Sequence, residues 1–216
     1  MERSDHLENL AKGIVGPLHA RHVASRRINR LATCLQELLP ESQHLTALDI
    51  GCGTGAIGKL IEEKRGNIEF TGVDVLVRKD AVIPVMIFDG KKLPFADKSF
   101  DFALLIDVLH HTDNQLELLQ EAARVSRHFV LLKDHFCQSA WDRLCLRFMD
   151  WVGNRAYDID LPYNYLSEAS WQGLFGQCRL ESDRLVRSLN LYAWPSSLIF
   201  ERNLHFISRL SPASKQ

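Results

Sequence analysis

Leu48-Asp49-Ile50-Gly51-Cys52-Gly53-Thr54-Gly55 decides how the rest of the chain is read. Ala47 to Ile50 is an apolar strand that runs into a glycine-dense turn. From Ala56 to Lys64, the residues Ile57, Leu60 and Ile61 then recur at helical spacing. A strand, a tight glycine turn and a helix start together make a ligand cradle. Glycine lets the backbone come close, and the first helical turn offers unpaired N–H groups. Ile68 to Val75 (IEFTGVDV) reads as a second strand carrying Asp74 at its end. An acid roughly twenty residues after the glycines, at the tip of the next strand, suits a ribose diol. The ligand expected is a nucleoside-containing cofactor.

Outward from that turn, strand and helix alternate, which predicts a mainly parallel sheet with right-handed crossovers. Strands are expected at about 45–50, 68–74, 83–88, 101–106 and 128–133, the fourth a continuous apolar run of the buried-parallel kind. A helix is expected around 114–125 and another around 138–150, followed by Trp151 to Asn154 and an Asp-rich turn. Ser167 caps a further helix carrying Trp171, Leu174 and Phe175. Two β-like runs, roughly 179–188 and 197–208, close the chain. Before the sheet, residues 1–44 read as helical, with Val23, Ile28, Leu31, Leu35, Leu38 and Leu39 near helical spacing and Pro40 ending the run. Arg21, Arg26, Arg27 and Arg30 fall on the other faces and read as a solvated face or, alternatively, an anion contact.

Gly53-Thr54-Gly55-Ala56-Ile57-Gly58 satisfies the G-x-G-x-x-G pattern of dinucleotide-binding folds. Two details point elsewhere. Gly51 makes the turn G-x-G-x-G, and Asp49 sets a carboxylate just before it, which a pyrophosphate would not favour and an amino group would. LDIGCGTG (48–55), GVDV (72–75), FDGKKLPFADKSFD (88–101) and LLIDVLHH (104–111), in that order, resemble class I S-adenosylmethionine-dependent methyltransferases. The resemblance is to the small-molecule branch that includes ubiquinone and menaquinone biosynthesis enzymes, and it covers about the first two thirds of the chain. It implies an α/β, Rossmann-like, doubly wound fold: a mainly parallel seven-stranded sheet with an antiparallel C-terminal hairpin and helices on both faces. One domain is expected over 1–216, with a helical lid at 1–44, a cofactor core at 45–135, a variable substrate-side segment at 136–177 and the terminal hairpin at 178–216.

The chain has 216 residues, 46% of them hydrophobic, enough for one well-buried domain. Lys plus Arg number 26 against 27 Asp plus Glu, so no basic excess supports a nucleic-acid surface. Five cysteines, at 34, 52, 137, 145 and 178, include no C-x-x-C pair. Reduced thiols are expected rather than structural zinc or disulfides, and no metal-ligand set is assigned. The charged start MERSDHLENL is unlike a signal peptide, and no apolar run reaches membrane-spanning length. A cytoplasmic location follows as the expectation.

The resemblance implies that Gly51, Cys52, Gly53 and Gly55 line S-adenosylmethionine. Asp74 would hold the ribose, and Asp89 with Gly90 would sit by the adenine. Asp49 would orient the glycine turn or the methionine ammonium, and Ile106 and Asp107 would line the methionine part. His110 and His111, after the fourth strand, and Asp134 with His135, after the fifth, are the catalytic candidates, since imidazole suits base duty near neutral pH. Packing explains the same residues. Tyr163, Asn164 and Tyr165 are candidates for positioning an oxygenated acceptor, with an aromatic packing turn as the alternative. Absent are a [D/N]-P-P-[Y/F] motif after the fourth strand, a nucleophilic Cys there and a Tyr-x-x-x-Lys pair, which favours a small-molecule acceptor. O-methylation is expected ahead of C- or N-methylation. A nicotinamide-dependent oxidoreductase, a non-catalytic cofactor-binding module, and a peripheral membrane role for Trp141 to Trp151 are the rival readings.

Overall fold

The computed structural model describes residues 17–41, 43–154 and 162–213, with side chains from 25 onward except 152–154. Residues 1–16, the side chains of Arg21 and Val23, and the Asp-rich stretch 155–161 lie outside this description. Helix α1 (Pro17–Gln36) leads into β1 (Leu45–Ile50), α2 (Ala56–Arg65), β2 (Ile68–Asp74), β3 (Val85–Ile87) and β4 (Phe100–Ile106). A 3₁₀ turn (Leu109–His111) precedes α3 (Gln115–Val125) and β5 (Ser126–His135). Then come α4 (Ala140–Asn154), α5 (Glu168–Gln177), β6 (Leu180–Val186), α6 (Ser197–Phe200) and β7 (His205–Pro212).

The seven strands form one sheet in the order β3-β2-β1-β4-β5-β7-β6. The first five are mutually parallel, and β7 runs antiparallel to both β5 and β6. The expected Rossmann-like architecture, with its antiparallel C-terminal pair, is therefore what the chain adopts. The strand order reverses between β1 and β4, so their carboxyl ends open a crevice at the topological switch point.

Side-chain alternation sorts the core into two layers. Leu48, Ile50, Ala103, Leu105, Val130 and Leu132 face α3 and α5. Leu45, Ala47, Phe70, Phe102, Leu104 and Leu131 face α1 and α2. On that second face Phe102 bridges its neighbours: edge-on to Phe70 at 5.9 Å and stacked on Phe129 at 5.2 Å. Gly58 of α2 sits against Phe70, where a Cβ would meet Cγ at 3.1 Å, so this third glycine of the G-x-G-x-x-G pattern is a packing residue.

Several local expectations are corrected. The closing run 197–208 is not one strand; Ser197–Phe200 is a helical turn and the strand starts at His205. An apolar run this short carries no periodicity that separates strand from helix. Helix α4 runs on through Trp151 to Asn154, past its expected end at 150. The third strand is three residues long, at Val85–Ile87. Among the described residues no helix is long and apolar enough to cross a membrane.

Candidate active site

The glycine turn follows directly from backbone geometry. Gly51, Gly53 and Gly55 have φ of +66°, +58° and +73°, the left-handed region that costs an L side chain strain. Space is equally restrictive. A Cβ on Gly51 would lie 2.6 Å from Val108 Cγ2, and one on Gly55 would lie 2.3 Å from Ile83 Cγ1. The Gly51 and Cys52 N–H groups both donate to the Val73 carbonyl, at 2.8 and 3.2 Å, which pins the turn to the end of β2.

At that end Asp74 accepts from Gly53 N–H at 2.7 Å through one oxygen and from Leu76 N–H at 3.2 Å through the other. Asp49 lies behind the turn, 3% exposed. Burial first, and then the Asp74 charge, push its carboxyl up to about 8. Burial, with Asp49 and Asp74, likewise pushes the Cys52 thiol up to about 12, which keeps it protonated near neutral pH. The Arg78 guanidinium covers Gly53, its carbon 3.3 Å from where a Cβ would stand. Asp89 lies at the exposed end of β3 and accepts from the Lys91 and Lys92 N–H groups at 2.9 Å each, followed by Gly90 at φ +77°. Those turn bonds hold its carboxyl below the ordinary range.

Across the crevice, β4, β5 and the 3₁₀ turn deliver a second, more polar group of side chains. Asp107, at φ +56°, leaves β4 with its carboxylate paired to both Arg27 of α1 and Lys133 of β5. Burial alone would raise Asp107, but Lys133 and Arg27 outweigh it and hold the carboxyl well below the carboxylate range. Arg27 is therefore an ion-pair partner across 80 residues rather than part of a solvated face, whereas Arg26 is exposed. Ile106, half-buried, pairs with Lys133 in the ladder.

Lys133 is fully buried. Besides Asp107, its ammonium lies 3.4 Å from His135 Nε2 and 3.4 Å from His205 Nδ1. Burial and Lys133 keep both imidazoles neutral, lowering His135 and bringing His205 well below the ordinary histidine value. The tautomers follow: each imidazole turns a lone pair to Lys133, while His205 Nε2–H donates to the Phe200 carbonyl at 2.8 Å. His135 Nδ1–H points to Asp134, at 3.3 Å.

Asp134, fully buried, receives His110 Nδ1 at 2.7 Å and the His135 N–H at 2.8 Å on the same oxygen. Adjacent Asp134 and His135 do face one another, although the shorter imidazole contact is to His110. Burial pushes His110 down, but Asp134 and then Asp150 bring it up to about 10. Its Nε2 lies 3.2 Å from Asp150 Oδ2 of α4, and Tyr165 donates its hydroxyl to that same oxygen. His110 is thus enclosed between two carboxylates and stacked on Tyr165 at 5.3 Å. His111 is half-buried and lowered to about 4, by burial first and by neighbouring His110 next.

Asn164 serves as a clasp. Its N–H donates to the His110 carbonyl at 2.9 Å, and its side chain donates to Thr112 O and Asp113 Oδ1. Tyr163 is half-buried beside His111, with the Arg147 guanidinium 5.4 Å from its ring centre. The structure therefore gathers His110, His111, Asp134, His135, Tyr163 and Tyr165 at one place, next to Asp107, while Asp49, the glycine turn and Asp74 line the other side. Asp89 and Gly90 stand further out, on the exposed edge. Sequence reasoning passed over Lys133, Asp150, His205 and Arg78. Only a lysine ending an otherwise apolar strand hinted at the first.

Comparison with known proteins fits this geometry. Residues 48–129 match a family described as a methyltransferase domain. A tRNA (carboxymethyluridine(34)-5-O)-methyltransferase of Schizosaccharomyces pombe is 36% identical over 87 residues, 38% of this chain and 36% of that protein. The ubiquinone/menaquinone biosynthesis C-methyltransferase of Paraburkholderia phymatum is 28% identical over 142 residues, 56% of this chain and 58% of that one. The chain thus spans well under two thirds of the length of these relatives. A Thermotoga maritima structure described as a possible histamine N-methyltransferase shares the fold, with TM-score 0.63 and 19% identity over 93% of this chain and 98% of that chain. β7, antiparallel between β5 and β6, separates this sheet from the six-strand parallel dinucleotide fold that the G-x-G-x-x-G pattern also allowed. Over residues 48–129 the chain thus matches a methyltransferase domain, and over a longer stretch it is similar to the ubiquinone/menaquinone C-methyltransferases.

Proposed function

We propose that this protein transfers a methyl group from S-adenosylmethionine to an oxygen of a small metabolite. One observation carries the reading: a glycine cradle with no room for Cβ atoms, backed by a buried carboxylate, Asp49, that feels the charge of a second one, Asp74. Such a site is built for close backbone approach and for a cationic group. In this reading the Gly51–Gly55 backbone and Cys52 line the cofactor, Asp49 faces its ammonium and Asp74 holds the ribose hydroxyls. Asp89 and Gly90 border the adenine, and Ile106 and Asp107 border the methionine part.

The cofactor supplies a methyl already activated on a sulfonium, so the protein's task is alignment and, for a hydroxyl acceptor, removal of one proton. As the new O–CH₃ bond forms, the S–CH₃ bond breaks and the sulfur keeps the electron pair. His110 is protonated and enclosed, so it positions, as do Asp134 and His135. Neutral, half-buried His111 takes the acceptor's proton in the ligand-free charge arrangement. Tyr163 and Tyr165 frame the acceptor, and Asn164 holds their segment against the 3₁₀ turn.

Calorimetric titration with S-adenosylhomocysteine, with NADH as control, tests the cofactor. Micromolar binding of the first alone is expected, and binding of NADH alone refutes the reading. The tRNA-modifying relative favours a second reading, in which the acceptor is a tRNA base or its substituent. The near-balanced charge of 26 basic against 27 acidic residues argues for the small molecule. Methyl incorporation into bulk tRNA, measured beside a panel of phenols and hydroxy acids, separates the two.

A further inference from the structure

We propose that His110, His111 and Asp150 form a binding site for a divalent transition-metal ion, with Asp134 as the group that orients His110. One ligand atom from each of the three side chains lies within 4.8 Å of the others, and His110 Nε2 and Asp150 Oδ2 are already 3.2 Å apart. Ligand atoms about 2.0–2.2 Å from a shared ion stand roughly 3–4.3 Å from one another, so closing the set takes a shift of about half an ångström. Two imidazoles and one carboxylate, with coordination positions left open, suit zinc, iron or cobalt better than magnesium or calcium.

A second observation points the same way. His110 is fully buried and its Nε2 faces Asp150 in an ion pair at 3.2 Å, while His111 Nδ1 is buried and makes no hydrogen bond among the described residues. The cluster thus holds a buried ring nitrogen without a partner beside an imidazole–carboxylate pair. The opposite nitrogen of His110 is held by Asp134 at 2.7 Å, the carboxylate–histidine arrangement that fixes the tautomer and orientation of a metal-binding imidazole.

The neighbouring set of Asp107, His110 and His135 also brings its ligand atoms within 4.8 Å. There Lys133 already stands where a cation would, against Asp107 and 3.4 Å from His135. The ammonium leaves that set no role for a second cation, whereas the other set pairs His110 Nε2 with Asp150. Binding requires the Nε2 proton of His110 to leave as the ion arrives, so one proton is released per ion at this position. An ion here would bind the acceptor oxygen and ease its deprotonation, relieving His111 of that duty. That use rests on the methyl-transfer reading; the metal site itself does not.

Cobalt(II) is the probe, because its visible absorption reports coordination directly. Added to metal-stripped protein, it should give d–d bands saturating at one ion per chain, displaced by zinc. His111→Ala and Asp150→Asn should each abolish the bands, and Asp134→Asn should weaken binding by about 10- to 100-fold. Retained S-adenosylhomocysteine binding in each variant shows that it is folded. His111 is partly exposed, so its truncation is the safer of the two. Absence of stoichiometric cobalt binding in the parent protein overturns the proposal. So do bands that survive both substitutions, or bands dominated by thiolate charge transfer. Cobalt binding without S-adenosylhomocysteine binding would defeat the methyl-transfer reading and leave the metal site standing.

Discussion

Asp49→Asn should make the ligand-free protein more stable while weakening its hold on the cofactor. Burial, reinforced by Asp74, raises the Asp49 carboxyl from 3.8 to about 8. A folded-state value above the unfolded one contributes stability that is complete below about pH 3.8 and is lost as pH rises through about 8. Over the roughly three units up to neutral pH, at about 1.36 kcal/mol per unit, the loss is on the order of 4 kcal/mol. Asparagine carries no charge and escapes that loss, but its buried amide brings a desolvation cost of about 1–3 kcal/mol. The net expectation is a gain of about 1–3 kcal/mol at neutral pH, still present at pH 8, that disappears toward pH 4, read from urea midpoints at unchanged slope. In parallel, S-adenosylhomocysteine affinity should fall at least about tenfold, and for the parent protein it should rise with pH as Asp49 ionises against the bound ammonium. A variant less stable than the parent at pH 8, or a gain equal at both pH values, would refute the reasoning.

Gly55→Ala should destabilise by roughly 2–4 kcal/mol, because left-handed strain adds to a 2.3 Å approach to Ile83. Gly66→Ala, at a similar φ of +67° with nothing within 4 Å, should cost only about 1 kcal/mol; equal costs would show that the contact is unimportant. Asp74→Ala should change stability by no more than about 1–2 kcal/mol, since Gly53 N–H loses its acceptor beside solvent, while S-adenosylhomocysteine binding drops beyond tenfold. Unchanged binding would remove Asp74 from the cofactor site. Lys133→Met should cost about 3–5 kcal/mol, measured by denaturation, because it strips a buried partner from Asp107; a neutral outcome would mean that Arg27 suffices alone.

The glycine-turn half of the candidate site was legible because its signals are local. The glycine turn, the strand before it and the helix after it are contiguous, and positive φ at Gly51, Gly53 and Gly55 is what glycine spacing encodes. The mainly parallel sheet was legible from alternation and from the apolar runs at β4 and β5. The polar half was not, because its partners are far apart in sequence: Arg27 meets Asp107 across 80 residues, and Lys133 meets His205 across 72. Asp150 lies on α4 among Leu144, Phe148 and Trp151, and nothing local marks it as the residue turned inward. Likewise Ser196, Ser197 and the apolar residues after them carry no period that separates a helical turn from a strand end.

Charge counting then joins the two halves. Asp107, Asp134 and Asp150 are set against Arg27, Lys133 and protonated His110, while His111, His135 and His205 are neutral. These six charges balance one another before any ligand arrives, which is how three carboxylates and a fully buried lysine coexist beside an apolar core. A divalent ion that displaces the His110 proton adds two charges and removes one, leaving a single positive charge. A neutral acceptor would leave that charge uncompensated in a site of low polarity. A deprotonated oxygen, phenolate or enolate, balances it, so metal loading and oxygen ionisation should favour each other. Apparent metal affinity should accordingly rise when an ionisable phenol is added and stay unchanged with its methyl ether. An ether that tightens cobalt binding as much as the phenol would break this link between charge and acceptor.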